Sequence, residues 1–248
     1  MLGIIGAMPE EIYLLKDHID IAKEVEIGNR LYIQGKMYEN NVVLVFSRWG
    51  KVAAASTTTT LINKFNCSSI IFTGVAGAVD SSLNIGDIVL GSSLYQHDLD
   101  ARPLYKQFQI PLTSKSFIKA TYQLDKFEET IKHFLVNIRE FVPEQFLRNF
   151  SIANPILKKG IIASGDQFIN SPLQHSNLNR NEIPVLAVEM EGAAVAQVCD
   201  DYNIPFVIIR TISDKSDSNS PIDFKSFVET VAGPYSVGII NNFVKDLA

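Results

Sequence analysis

Apolar positions recur along this chain in two periods. Short apolar runs at 2–5, 42–47, 69–73, 86–95, 156–164, 185–189 and 205–212 have strand length and are bounded by glycine, proline, asparagine or serine. Segment 25–33 reads as a further strand region, arranged as a hairpin. Between these runs the spacing changes to the helical one. Ile12, Leu15 and Ile19 follow Pro9-Glu10-Glu11, where proline suits the first turn and acids suit the positive end of a helix. Residues 52–65 are rich in alanine and threonine, giving a helix with a small face. Phe127, Ile131, Phe134, Leu135, Ile138 and Phe141 predict an amphipathic helix over 122–141, with irregular chain from there to about 154. A last helix is expected over 224–247, kinked at Gly233-Pro234. Strands alternating with helices predict a single α/β domain over residues 1–248.

The stretch 184–217, PVLAVEMEGAAVAQVCDDYNIPFVIIRTISDKSD, concentrates the chemistry. It reads as strand, helix, strand, with an acid wherever a strand stops: Glu189 and Glu191 after the first, Asp214 after the second. In open α/β sheets ligands bind at the carboxyl ends of strands, and Glu11 has the same kind of address. Three other strand ends carry usable groups. Trp49, the only tryptophan, could wall a pocket; 74–78 (GVAGA) is a small-residue turn that lets backbone amides approach a ligand; Phe168 could stack on a planar group. Gly3 and Gly6 do not form a dinucleotide fingerprint. His97 and Asp98 are sequence neighbours, expected to face opposite ways on a strand and so to have a structural or interface role.

Composition narrows the classes. With 46% hydrophobic and 20% charged residues among 248, the chain has ample core for one domain. A net charge of -5 argues against a nucleic-acid surface or a polybasic membrane patch. Cys67 and Cys199 make no disulfide framework and have no metal-ligating neighbours, which points to a reducing, cytoplasmic setting. The N-terminus MLGIIGAMPEE is not a signal peptide, and no apolar run approaches the ~20 residues of a membrane span.

Three acids and an aromatic suit cleavage of the bond between a purine and C1′ of ribose. The departing base needs a proton at N7, which Asp214 could supply. The sugar becomes an oxocarbenium-like cation, which an ionised Glu191 at a helix N-terminus could offset. A water must attack from the far face, positioned by Glu11. Well-separated carboxylates leave room for direct water attack.

The segments GIIGAMPEE, SRWGKVAAA, FTGVAGAV, GDIVLGSSLYQHDLD, IASGDQFI, VEMEGAAVAQVC and PFVIIRTISDKSD occur in this order. Together they resemble the 5′-methylthioadenosine/S-adenosylhomocysteine nucleosidases of the purine nucleoside phosphorylase-like superfamily. The resemblance implies a central twisted mixed sheet, partly barrel-like, surrounded by helices. It also implies a homodimer that hydrolyses nucleosides in methionine salvage with no metal or organic cofactor. By position it makes Asp214 the purine-protonating acid, oriented by Ser213. Glu191 becomes the ribose carboxylate with Met190 beneath the sugar, and Glu11 the partner of the catalytic water with Arg210 nearby. Phe168 stacks on adenine, the backbone of Ile169 reads the base edge, and Met8 walls the 5′-thio side. Glu189 becomes either a second ribose-side acid or the residue that orients Arg210. The small-residue turn, Val75, Ala76 and Gly77, faces the sugar and water. Arg48-Trp49 and Val75 depart from the family's common residues, which bears on the preferred 5′ group: methylthio, homocysteinyl, deoxy or aminofutalosine-type. Phosphorolysis with Arg48 in a phosphate cradle, and a nucleoside-binding protein without catalysis, are the alternatives.

Overall fold

The computed structural model describes residues 1–169, 171, 174, 178, 183–215 and 224–247, Glu11 by its backbone only. Among the described residues eleven strands form one mixed sheet: β1 (Leu2–Gly6), β2 (Asp20–Ile27), β3 (Arg30–Met37), β4 (Asn40–Phe46), β5 (Ser69–Thr73), β6 (Val75–Ala78), β7 (Ile88–Gln96), β8 (Ile118–Lys119), β9 (Leu157–Ser164), β10 (Val185–Glu189) and β11 (Phe206–Asp214). Their order is β2-β3-β4-β1-β5-β11-β6-β10-β9-β7-β8, and β11 also pairs with β7. That extra pairing closes β11, β6, β10, β9 and β7 into a five-stranded barrel, with the remaining strands continuing from it as an open sheet.

The central strands are buried on both faces, which is why they read as unbroken apolar runs. Side chains alternate between two cores. Ile4, Leu44, Ile71 and Ile209 face one; Ile5, Val43, Val45, Phe72 and Ile208 face the other. The first core is covered by α1 (Pro9–Lys16), α3 (Leu124–Val136) and the last helix, in which α6 (Phe224–Phe227) and α7 (Gly233–Lys245) flank a π-helical stretch, Val228–Ala232. The second is covered by α2 (Lys51–Phe65) and α5 (Gly192–Asp201), which pack on each other. Ala54, Ala193, Ala194 and Ala196 are all buried there, so the small residues serve close helix packing.

Several expectations shift. Residues 75–78 are a strand, because their amides and carbonyls are paired on both sides. The helix expected over 122–141 ends at Val136 and continues as a 3₁₀ turn, Ile138–Glu140; a short helix, α4 (Glu144–Asn149), follows where irregular chain was expected. The expected kink at Gly233-Pro234 is the end of the π-helical stretch, a wider turn that accommodates a proline lacking its N–H. Among the described residues no helix is long and apolar enough to cross a membrane.

Candidate active site

Strand register brings the acids together. Gly77 of β6 pairs with Asp214 of β11 on one side and with Val188 of β10 on the other. Neighbouring strands lie about 4.8 Å apart, so the end of β11 and the exit of β10 stand roughly 10 Å apart across one glycine. The register of β11 shifts between Ile212 and Asp214. This bulge at Ser213 breaks the usual alternation, and Ser213 and Asp214 both line the same cavity. The Ser213 hydroxyl donates to Asp214 Oδ2 at 2.8 Å, and Asp214 is 4% exposed. The open-sheet premise needs correction here. β6 runs parallel to β11 and antiparallel to β10, so the strands carrying Asp214 and Glu189 run in opposite directions and share no common edge.

Glu189 and Glu191 are two residues apart and have different surroundings. Both Glu189 oxygens are occupied. They accept from Arg210 Nη2 at 2.8 Å, from the amides of Glu191 and Gly192, and from the Ser164 hydroxyl. Arg210 is fully buried, lies 4.0 Å from the Phe72 ring centroid, and donates through Nη1 to the carbonyls of Phe72 and Ile209. Of the two roles weighed for Glu189, the contacts match the one that orients Arg210. Arg210 itself does not line the cavity.

Glu191 is 5% exposed and accepts the Gly50 amide at 2.7 Å. Burial, and then the Glu189 charge, push its carboxyl from 4.5 up to about 7; the Gly50 amide, Arg210 and the Met190 amide offset only part of this. The expectation that a helix N-terminus would hold it ionised is therefore corrected. Glu191 is the N-cap residue of α5, but its carboxylate makes no cap hydrogen bond to that helix, and burial is the largest influence on it.

The cavity has a volume of about 360 Å³. Ala7 and Met8 line it from the end of β1, Val75, Ala76 and Gly77 from β6, and Met190 from the turn after β10. Phe168 is half-exposed and forms an aromatic wall beside Ile169. Trp49 borders the mouth, its indole N–H donating to the Ala7 carbonyl at 3.1 Å. Of the residues singled out in the sequence, Met8, Trp49, Val75, Ala76, Gly77, Phe168, Ile169, Glu189, Met190, Glu191, Ser213 and Asp214 border this one cavity. Glu11 stands in the first turn of α1, and its side chain lies outside the described residues. Arg48, the phosphate-cradle candidate, points elsewhere and donates to the Asn29 carbonyl at 2.8 Å. Among the described residues no arginine or lysine lines the cavity.

Sequence reading missed Ala7, Gln167, Val188 and Phe224, which also line it. Gln167 was within reach, since it sits beside Phe168 after the same strand. Nothing local distinguishes Phe224 from the core phenylalanines of the same helix.

The sequence profile of the Phosphorylase superfamily matches residues 1–245. The 5′-methylthioadenosine/S-adenosylhomocysteine nucleosidase of Staphylococcus saprophyticus is 37% identical over 233 residues, 94% of each chain. The S-adenosylhomocysteine nucleosidase of Streptococcus pyogenes, solved with 5-methylthiotubericidin, superposes with a TM-score of 0.81 at 32% identity, covering 100% of this chain and 97% of that one. The futalosine hydrolase of Helicobacter pylori superposes with a TM-score of 0.80 at 30% identity, covering 99% and 97%. The chain belongs to the phosphorylase superfamily and, within it, to the family of the 5′-methylthioadenosine/S-adenosylhomocysteine nucleosidases.

Proposed function

We propose that this protein hydrolyses the N-glycosidic bond of adenine nucleosides bearing a 5′-thio group, methylthioadenosine and adenosylhomocysteine, releasing adenine and the 5′-thioribose. The observation that carries the reading is the convergence of Asp214, Glu191 and Phe168 on one cavity. The base stacks on Phe168, with its edge at the Ile169 backbone. Asp214, oriented by Ser213, delivers the proton that lets the purine leave. Glu191 binds the ribose hydroxyls, and its negative charge becomes most favourable as the sugar turns cationic. For the attacking water we assign Glu11 as partner. Glu189, at the cavity border, and Arg210 behind it hold the turn that carries Glu191.

Phosphorolysis needs a cationic cradle for the anion. The lack of a cavity-lining cation among the described residues supports water as the nucleophile. The test is adenine release in phosphate-free buffer, followed over a series of 5′ substituents that includes an aminofutalosine-type nucleoside. Full turnover without phosphate is expected; turnover that requires phosphate would sink the hydrolase reading. Binding of methylthioadenosine without cleavage would instead favour a catalytically silent receptor.

We further propose a homodimer working in the cytoplasm in methionine salvage. The adjoining exposed side chains of Trp49 and Val52 at the start of α2 support a second copy covering that end of the helix. Light scattering of the purified protein at twice the chain mass is the expected outcome.

A further inference from the structure

The start of α2 is capped from two distant places. Its N-cap, Gly50, has no side chain, and no acid stands in its first turn. Helix starts leave amides without partners. Here Glu191 accepts the Gly50 amide at 2.7 Å, and Asp166 Oδ1, from the loop after β9, accepts the Lys51 amide at 2.8 Å. Lys51 then turns its ammonium to Asp98 Oδ1 at 2.6 Å and Gln96 Oε1 at 3.1 Å, at the end of β7. Asp98 closes the ring, its other oxygen accepting the Asp166 amide at 2.9 Å. The Lys51 ammonium also lies 3.8 Å from Asp166 Oδ2.

The same loop is fixed from below. His97 donates its amide to the Ser164 carbonyl at 3.0 Å, and its ring packs on Gly165 so closely that a Cβ there would lie 2.3 Å from His97 Nε2. Phe168 follows three residues later.

We propose that Asp98 is a positioning residue of the base site: with Lys51 and Asp166 it latches the Gly50 turn to the Phe168 loop, so one network sets both the aromatic wall and the amide that holds Glu191. The inference rests on the nucleosidase reading of the cavity. Isolated surface ion pairs contribute little. This one differs in kind, because the Lys51 and Asp98 side chains are only 17% and 23% exposed and both aspartates bind backbone amides. Burial alone would raise the Asp98 carboxyl; the Lys51 ammonium and the Asp166 amide outweigh it and keep the group below its ordinary value, so Asp98 stays charged in the latch. Lys51, Asp98 and Asp166 do not line the cavity. Its effect should therefore appear in binding of the base.

The test is calorimetric titration of adenine into wild type, D98N, F168A and the D98N/F168A double variant, with D166N as a second break of the latch. Hydrogen exchange of the peptide spanning Trp49 to Val52 is measured without ligand. Wild type is expected to bind adenine, D98N and D166N about tenfold more weakly, and the double variant no more weakly than F168A alone. Exchange at Gly50 and Lys51 should rise about tenfold in D98N and D166N, with thermal midpoints close to that of wild type. Equal adenine affinity in D98N and wild type overturns the latch. So do losses that multiply in the double variant, because they would mark a general structural role. A wild-type protein that fails to bind adenine brings down the base-site reading and the latch with it, a result distinct from failure of the latch alone.

Discussion

Replacing Glu191 by glutamine keeps the shape of the side chain and removes its titration. In the folded protein this carboxyl is pushed from 4.5 up to about 7, by burial first and by Glu189 second. Each pH unit of that rise is worth about 1.4 kcal/mol, so keeping Glu191 ionised in the fold costs about 3 kcal/mol relative to the unfolded chain. Between pH 4.5 and about 7 the unfolded chain has released this proton and the folded protein still holds it. The folded protein binds more protons in that window, so the group's contribution to stability falls as pH rises and levels off above about 7. Glu191→Gln should lack this decline, since its amide oxygen still accepts the Gly50 N–H and carries no charge. Urea unfolding of both proteins at pH 5, 6, 7 and 8 measures the effect. The stability of the variant relative to wild type should rise by about 2.5 kcal/mol across the series. A difference that stays flat would refute the assignment of a buried, proton-retaining carboxyl. Activity should move the other way. If the carboxylate is the form that meets the sugar, wild-type kcat/KM climbs with pH through about 7. The variant should lose that limb together with roughly 2.7–4 kcal/mol of transition-state stabilisation.

Asp214→Asn should lower kcat on the order of 10²–10⁴-fold, the range of a lost general acid, with substrate affinity measured by calorimetry nearly unchanged; retained turnover would remove Asp214 from the chemistry. Phe168→Ala should weaken adenine binding by about 1–3 kcal/mol, the worth of one base–aromatic stack, and an unaltered affinity would place the base elsewhere. Arg210→Met leaves Glu189 buried without its ion pair and should destabilise the fold by about 3–5 kcal/mol in urea unfolding; a loss below ~1 kcal/mol would show the pair to be dispensable. Gly50 has φ 88° and ψ 159°, a region open essentially to glycine alone, and a Cβ there would stand 3.2 Å from Asp166 Oδ1. Gly50→Ala should therefore cost about 1–3 kcal/mol of stability and raise KM as the Glu191 contact is displaced.

The strands and helices of residues 185–214 could be read directly, because apolar runs bounded by acids and small residues leave few other arrangements. Closure of the barrel could not. It depends on β11 pairing with β7, elements more than a hundred residues apart, and no local period encodes such a partner. The role of β6 was hidden for a different reason. Val75-Ala76-Gly77-Ala78 has no strand signature, and its conformation comes from neighbours on both sides. The open-sheet argument reached acids that line the cavity, but by the wrong geometry. Asp214 and Glu191 line one cavity because Gly77 pairs across to both β11 and β10, not because the two strands end on a common edge. Lys51, Asp98 and Asp166 each look like ordinary surface charges in sequence, and only the fold joins them.

Arg210 explains why two neighbouring glutamates behave differently. Its guanidinium is buried, committed to Glu189 and off the cavity surface, whereas Glu189 borders the cavity. Glu191 is a buried acid beside the Glu189 charge, and burial first and Glu189 second raise its pKa. A group in that condition gains most from a ligand that is positive only in passing. The oxocarbenium-like sugar fits that description, the neutral nucleoside does not, and interaction energy realised only at the transition state is what accelerates a reaction. An Arg210 freed to enter the cavity would neutralise Glu191 in the resting state and attract anions such as phosphate. On the reading proposed above, the buried Arg210–Glu189 pair keeps this guanidinium out of the cavity, which favours water over phosphate.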